Sequence, residues 1–251
     1  MRKALLVGLI VAMGWAPEAS AQYLPLDGKL YVDINGLYQA TSQSVDQRGT
    51  FSIYEEEGFF ETTQRIGAGG LWDVGFGYNV WRDLSLGLDI AQFSRNQTME
   101  VRGEAPHPVF FNMPRAFVTE ASSSHQTRTV AVLASWRLRM GGPLEKMSLR
   151  VMAGPAFLHV EQGLATSGTI EETTTPYSTV NATVSVETQV KNGVGFVGGM
   201  DIAYPITDNL GAGLLLRYAG GSVKYVEQLG GQTVRVDAGG FQVGGGVRLR
   251  F

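Results

Sequence analysis

From Lys29 to Phe251, apolar side chains recur at every second position in one segment after another. A period of two is that of a β-strand, whose successive side chains point to opposite faces. In the first segment Leu30, Val32, Ile34 and Tyr38 share one face, and Lys29, Tyr31, Asp33, Asn35 and Gln39 share the other. Seven further segments repeat this, with apolar faces carried by Trp72–Val80, Leu84–Ile90, Val130–Leu138, Leu149–Phe157, Val194–Tyr204, Leu210–Tyr218 and Phe241–Phe251. No segment has a helical period, so the chain is expected to be all-β.

Two architectures use such strands. A soluble sandwich buries the apolar face, whereas a membrane barrel turns it to lipid and keeps the polar face inside. Three features favour the barrel. Short connections at Trp81-Arg82-Asp83, Gly141-Gly142-Pro143 and Pro205–Asn209 alternate with long ones near 43–66, 95–126, 161–192 and 220–234. Short turns at one end and long loops at the other are the outer-membrane pattern. The apolar faces carry Trp72, Tyr78, Trp136, Phe157, Tyr204, Tyr218, Phe241 and Phe251, many near strand ends, as interfacial girdles require. Many of the 33 glycines fall on the polar face, where they leave room for large inward neighbours.

The expected fold is therefore an up-and-down antiparallel transmembrane barrel of eight strands. Val180, Ala182, Val184 and Val186 continue the register of the sixth strand, which reads as a tall hairpin; an extra strand pair, making ten, is the alternative. Asp33, Asp73, Asp89, Arg137, Arg150, Asp201, Arg217 and Arg248 all fall on the inward parity. Buried charges must be paired, so these predict an ion-pair network that closes the lumen.

The N-terminus reads as an export signal. Arg2 and Lys3 precede the apolar run Ala4–Trp15, and Ala19-Ser20-Ala21 supplies the small residues of a cleavage site. Residues 1–21 are expected to be removed, leaving one barrel domain over 22–251. No later stretch could form a spanning helix, which needs ~20 apolar residues. The absence of Cys excludes disulfides and thiolate-bound metals, and a net charge of −3 gives no support for nucleic-acid binding.

The chain ends with Phe241, Val243, Val247, Leu249 and Phe251 in alternation, and this resembles the outer-membrane assembly signal. With the export segment and eight strands, the chain resembles the small eight-stranded outer-membrane barrels, such as the OmpA transmembrane domain and the OmpX group. The resemblance implies insertion by the barrel assembly machinery, contact with outer-membrane lipids including lipopolysaccharide, and a monomer. One departure from full-length OmpA-type proteins is expected, namely that no peptidoglycan-binding domain follows Phe251.

Motifs of chemistry are sparse. Gly193–Gly198 matches G-x-G-x-x-G but lies within a strand, where no dinucleotide turn can form. His159 and Glu161 share the lipid-facing parity near an outer strand end, a height at which outer-membrane lipid deacylases keep catalytic groups; a headgroup-boundary role is the plainer reading. Ser122-Ser123-Ser124-His125 reads as a polar loop entering the fourth strand. Glu55-Glu56-Glu57, with Asp46 and Glu61, reads as a solvated acidic loop rather than a cation site. Phe51, Tyr54, Phe59, Phe60 and the stretch Pro106–Phe117 are apolar for loops, and mark either contact surfaces or mutual packing. No cofactor or metal is expected. A non-catalytic structural or surface-interaction role is the leading expectation, with a narrow channel and a lipid-modifying enzyme as alternatives.

Overall fold

The computed structural model describes residues 28–141, 146–172, 177, 180–226 and 233–251, so the expected export segment lies outside them. Ten antiparallel strands follow the alternating segments: β1 (Leu30–Gln39), β2 (Gln43–Ile53), β3 (Glu56–Ile66), β4 (Gly69–Trp81), β5 (Leu84–Ala105), β6 (Arg115–Arg139), β7 (Ser148–Glu172), β8 (Val180–Pro205), β9 (Leu210–Val226) and β10 (Thr233–Arg250). Eight of them close a ring. β1 pairs with β4, each later neighbour pairs with the next from β4 through β10, and β10 returns to β1 from Tyr31↔Arg250 to Gln39↔Gln242.

The two strands beyond eight come from the first long connection, which reads as an acidic loop in sequence. β2 and β3 form a hairpin whose turn, Tyr54-Glu55, places both residues at positive φ, 54° and 63°. Two left-handed residues in a two-residue loop match the twist of the flanking strands. This hairpin continues β1 and β4. The pair Gln39↔Gly69 is followed by Gln43↔Ile66, four residues on one side against three on the other. β3 also pairs with β5, from Phe59↔Glu104 to Gln64↔Met99, directly above the β4–β5 ladder. The barrel therefore has eight long strands, two of them interrupted.

The other long connections are also mostly strand. β5 and β6 stay paired up to Ala105↔Arg115, and β7 and β8 up to Glu172↔Val180. The tall β7–β8 hairpin read from Val180–Val186 is present. Its ladder shifts register between Ala165 and Ser167.

The exterior of the lower half carries exposed apolar side chains, among them Ile34, Phe76, Leu88, Val132, Leu214 and Val243. Tyr78, Trp136, Tyr204 and Phe251 border this belt at the turn end, and Trp72, Phe157, Tyr218 and Phe241 border it above. Inside, the sequence expectation of a wholly polar lining holds only near the turns. Higher up, apolar and polar residues share the inward face: Leu37, Leu71, Phe93, Leu158, Val160 and Val223 belong to one buried cluster, and Gln64, His125 and Gln162 are buried beside it. Above the belt both faces meet water, so burying apolar side chains inside lowers free energy there as in any soluble sheet.

Candidate functional site

The lower lumen is filled by a charge cluster built from seven strands. Arg217 on β9 donates Nη1 to Asp73 on β4 and to Asp89 on β5, both at 2.7 Å, and its Nε to Gln242 Oε1 at 2.7 Å. Arg248 on β10 donates Nε to Asp201 on β8 at 3.0 Å and Nη1 to Asn35 Oδ1 at 2.6 Å. Arg150 on β7 donates Nη2 to Asp201 at 2.9 Å and also reaches Asp33. Arg250 completes the set, donating Nη1 to Asp33 Oδ1 at 2.6 Å. Four carboxylates thus face four guanidiniums, and all eight side chains are buried.

Small residues make space for this cluster. A Cβ on Gly213 would stand 2.5 Å from Arg248 Nε, and one on Gly77 would stand 2.1 Å from the Tyr31 ring. That ring lies against two cations, with Arg150 Cζ 4.5 Å and Arg250 Cζ 5.0 Å from its centroid. The space left within the cluster is about 20 Å³. That is room for a single water.

Seven of the eight charged residues singled out in sequence take part in these bonds. The eighth, Arg137, stands cross-strand from Arg150 nearer the β4–β5 turn, half-buried, with its backbone N–H donating to the Asp83 carbonyl at 2.8 Å. Sequence reasoning missed Arg250 as a member. Its signal was parity: it lies two residues beyond Arg248 on the same strand face.

A second polar layer sits higher. Ser123 and His125, read in sequence as loop, are inward residues of β6. His125 Nδ1 donates to Gln162 Oε1 at 2.7 Å, and the Thr127 hydroxyl lies 2.9 Å from Nε2. Gln162 donates to Gln64 Oε1, and Gln64 to Ser123 Oγ. These bonds suit a neutral imidazole, and burial holds His125 below its ordinary pKa against the opposing Gln162 bond. Outside the barrel, His159 Nδ1 is 2.8 Å from Asn192 Oδ1, and Nε2 is 3.5 Å from Glu161.

The top is a packed headpiece. Phe60, Met99, Val101, Ala105, Phe117 and Ala165 form its core, with Phe51 and the inward residues of the β7–β8 hairpin against it. A clasp holds it shut. Arg115 grips Glu172 through Nη1 and Nη2, both at 2.7 Å, and Tyr54 donates to Glu172 Oε1 at 3.1 Å. The Arg115 hydrogen bond is the chief cause of a Glu172 pKa below its usual value. Beyond the clasp, Phe110 and Phe111 stand exposed at the tip, Phe111 at 70%. The tip is held from below. His107 Nδ1 accepts from the Val109 and Phe110 amides, Glu56 accepts from the Asn112 amide, and Arg115 donates to the Pro106 carbonyl. Glu56 of the acidic run thus serves as a tether.

A closed ring, an apolar belt between aromatic girdles and short turns gathered at one end define an integral outer-membrane β-barrel. Neither a family model nor a curated protein matches the sequence. Solved structures are similar in fold. Neisserial surface protein A shares 13% identity over 89% of this chain and 97% of that one, with a TM-score of 0.39. The N-terminal barrel domain of Pseudomonas aeruginosa OprF shares 14% over 90% and 100%, with a TM-score of 0.38. The Escherichia coli outer-membrane protease OmpT shares 9% over 92% and 99%, with a TM-score of 0.46.

Proposed function

We propose that the chain is a non-catalytic outer-membrane anchor that presents a rigid β-headpiece for structural or surface-interaction work outside the cell. The observation that carries this reading is the exposed tip. Val109, Phe110, Phe111 and Met113 face solvent on a connection tethered by His107, Glu56 and Arg115. Exposed apolar groups in a cluster mark contact sites, and a pre-ordered tip loses little entropy on binding.

The filled lumen favours an anchor over a channel. Hydrolysis needs a nucleophile hydrogen-bonded to its base and open to substrate; the hydroxyl that His125 bonds, that of Thr127, is buried with it inside the barrel, and His159 bonds Asn192. Lipopolysaccharide is the proposed lipid neighbour. Arg128, Lys224 and Arg235 are exposed above the belt, at the height of its phosphates. The barrel assembly machinery is the proposed partner during insertion.

Bacteria displaying the wild type are expected to be retained on epithelial monolayers or matrix-coated surfaces. The double variant Phe110→Ser/Phe111→Ser should reduce retention without changing surface level. Equal retention would remove the tip from the function. A steady porin-like conductance of the purified protein in planar bilayers would move the channel reading to first place.

A further inference from the structure

Inside the headpiece, away from the tip, lies a cavity of about 130 Å³. Phe51, Phe60 and Phe117 form one wall, and Ile170, Ala182 and Val184 of the β7–β8 hairpin form the other. Two glycines set the ring positions. A Cβ on Gly58 would lie 2.5 Å from the Phe51 ring, and one on Gly103 would lie 2.6 Å from the Phe117 ring. Ser167, Thr169 and Thr183 border the cavity but are exposed, and they alternate with the lining residues. The lining side chains are therefore apolar.

Gly168 lies on the same strand face as Ile170 and is itself exposed, so the cavity opens to the outside at this point. A Cβ there would meet nothing nearer than the Thr183 carbonyl at 3.8 Å. A larger apolar residue at 168 would fill the space without a backbone clash. With Gly168 in place the space stays open, although close-packed interiors rarely leave voids larger than a water. An apolar cavity of ~150 Å³ lined by aliphatic and aromatic groups stays dry and accepts benzene.

We propose that this cavity binds a small uncharged apolar molecule, the size of one six-membered aromatic ring or a short alkyl chain, taken from the external medium. Charged ligands are excluded because no side chain in the lining could pair with them. A membrane acyl chain is excluded by height. Ile170 stands roughly 30 Å above Phe157, at ~3.3 Å per residue along a strand tilted ~45°. The proposal is independent of whether the exposed tip binds a partner.

The test uses the full barrel, refolded in lipid nanodiscs with labelled Ile, Ala and Val methyls and titrated with toluene. Ile170, Ala182 and Val184 should shift saturably. Val132 and Val243, which face lipid, should drift linearly as toluene partitions into the bilayer. Gly168→Leu should abolish the saturable shifts and leave the barrel resonances in place. Should that variant fail to fold, Ala182→Ile fills the cavity from the neighbouring strand of the same hairpin and must give the same loss. A purely linear response at all five residues would show a packing void and overturn the proposal. Saturation that survives in a folded, cavity-filled variant would overturn it as well.

Discussion

Arg217 reaches across the barrel to Asp73, 144 residues earlier in the chain, and bonds it at 2.7 Å with both side chains almost completely buried. The contact joins β9 to β4, three strands away around the ring of eight, and the Asp89 contact joins it to β5 on the opposite wall. Asp89 and Gln242 take further donors of the same guanidinium. Removing it would leave two buried carboxylates facing each other.

Arg217→Met should therefore destabilise the barrel by about 3–5 kcal/mol, the cost of breaking one side of a buried ion pair. Denaturant unfolding in lipid vesicles measures this. A loss well below 1 kcal/mol would mean that the cluster is hydrated in the membrane. Planar-bilayer recordings of the same variant should show more frequent openings than the wild type.

Leu214 is exposed on the lipid belt, and its immediate neighbour Leu215 is buried inside. Leu214→Arg should cost about 2–4 kcal/mol if position 214 lies near the bilayer midplane. Leu214→Met, which stays apolar, should be close to neutral. Equal behaviour of the two would contradict the assigned faces.

Phe251 is exposed beyond the last strand pair, with its backbone bonded to Leu30 in both directions. Deleting it, or replacing it with Asp, should lower the yield of folded barrel in the outer membrane while leaving export intact. Heat-modifiable mobility of membrane fractions, compared with periplasmic accumulation, reads both steps. An unchanged folded yield would separate the alternating C-terminal pattern from assembly.

Acid should loosen the headpiece before the membrane barrel. His125 is held below its ordinary pKa of 6.5 by burial, and Glu172 below 4.5 by the bond from Arg115. In both cases the unfolded state takes up the proton first, so the stability contributed above the ordinary pKa is lost as pH falls through the folded one. His125 acts first, from about pH 6.5 downward, and Glu172 below about 4.5. Hydrogen exchange, corrected for intrinsic rates, should show protection over Gly163–Glu172 falling between pH 7.5 and 5. Protection over Leu210–Tyr218 should stay constant. Glu172→Gln should already weaken the upper segment at neutral pH.

The membrane half was legible because its two faces differ chemically at every step. Leu30 to Gln39 alternates in a way that fixes both register and orientation. The charged interior followed from parity alone, and the omission of Arg250 was a failure of extrapolation by one step. Above the belt, parity loses that meaning. Val45, Gln47, Thr62 and Gln64 all point inward, so polar and apolar residues share a face and the alternation blurs. The β2–β3 hairpin was hidden for that reason, and because Tyr54 and Glu55 occupy left-handed positions usually held by Gly or Asn. His125 looked like loop because the Ser122–Ser124 run around it is uniformly polar, although every second residue of it is strand interior.

The breaks at 40–42 and 67–68 act as splice points. At these residues the barrel strands hand over to the headpiece with a one-residue offset, and no ladder joins β10 to β2 above them among the described residues. A change of length within 43–66 would thus stop at the seam without shifting the register of Leu30–Gln39 against its neighbours. The tip of the first hairpin can therefore vary in length at the expense of the headpiece alone, while the membrane half keeps its pairing.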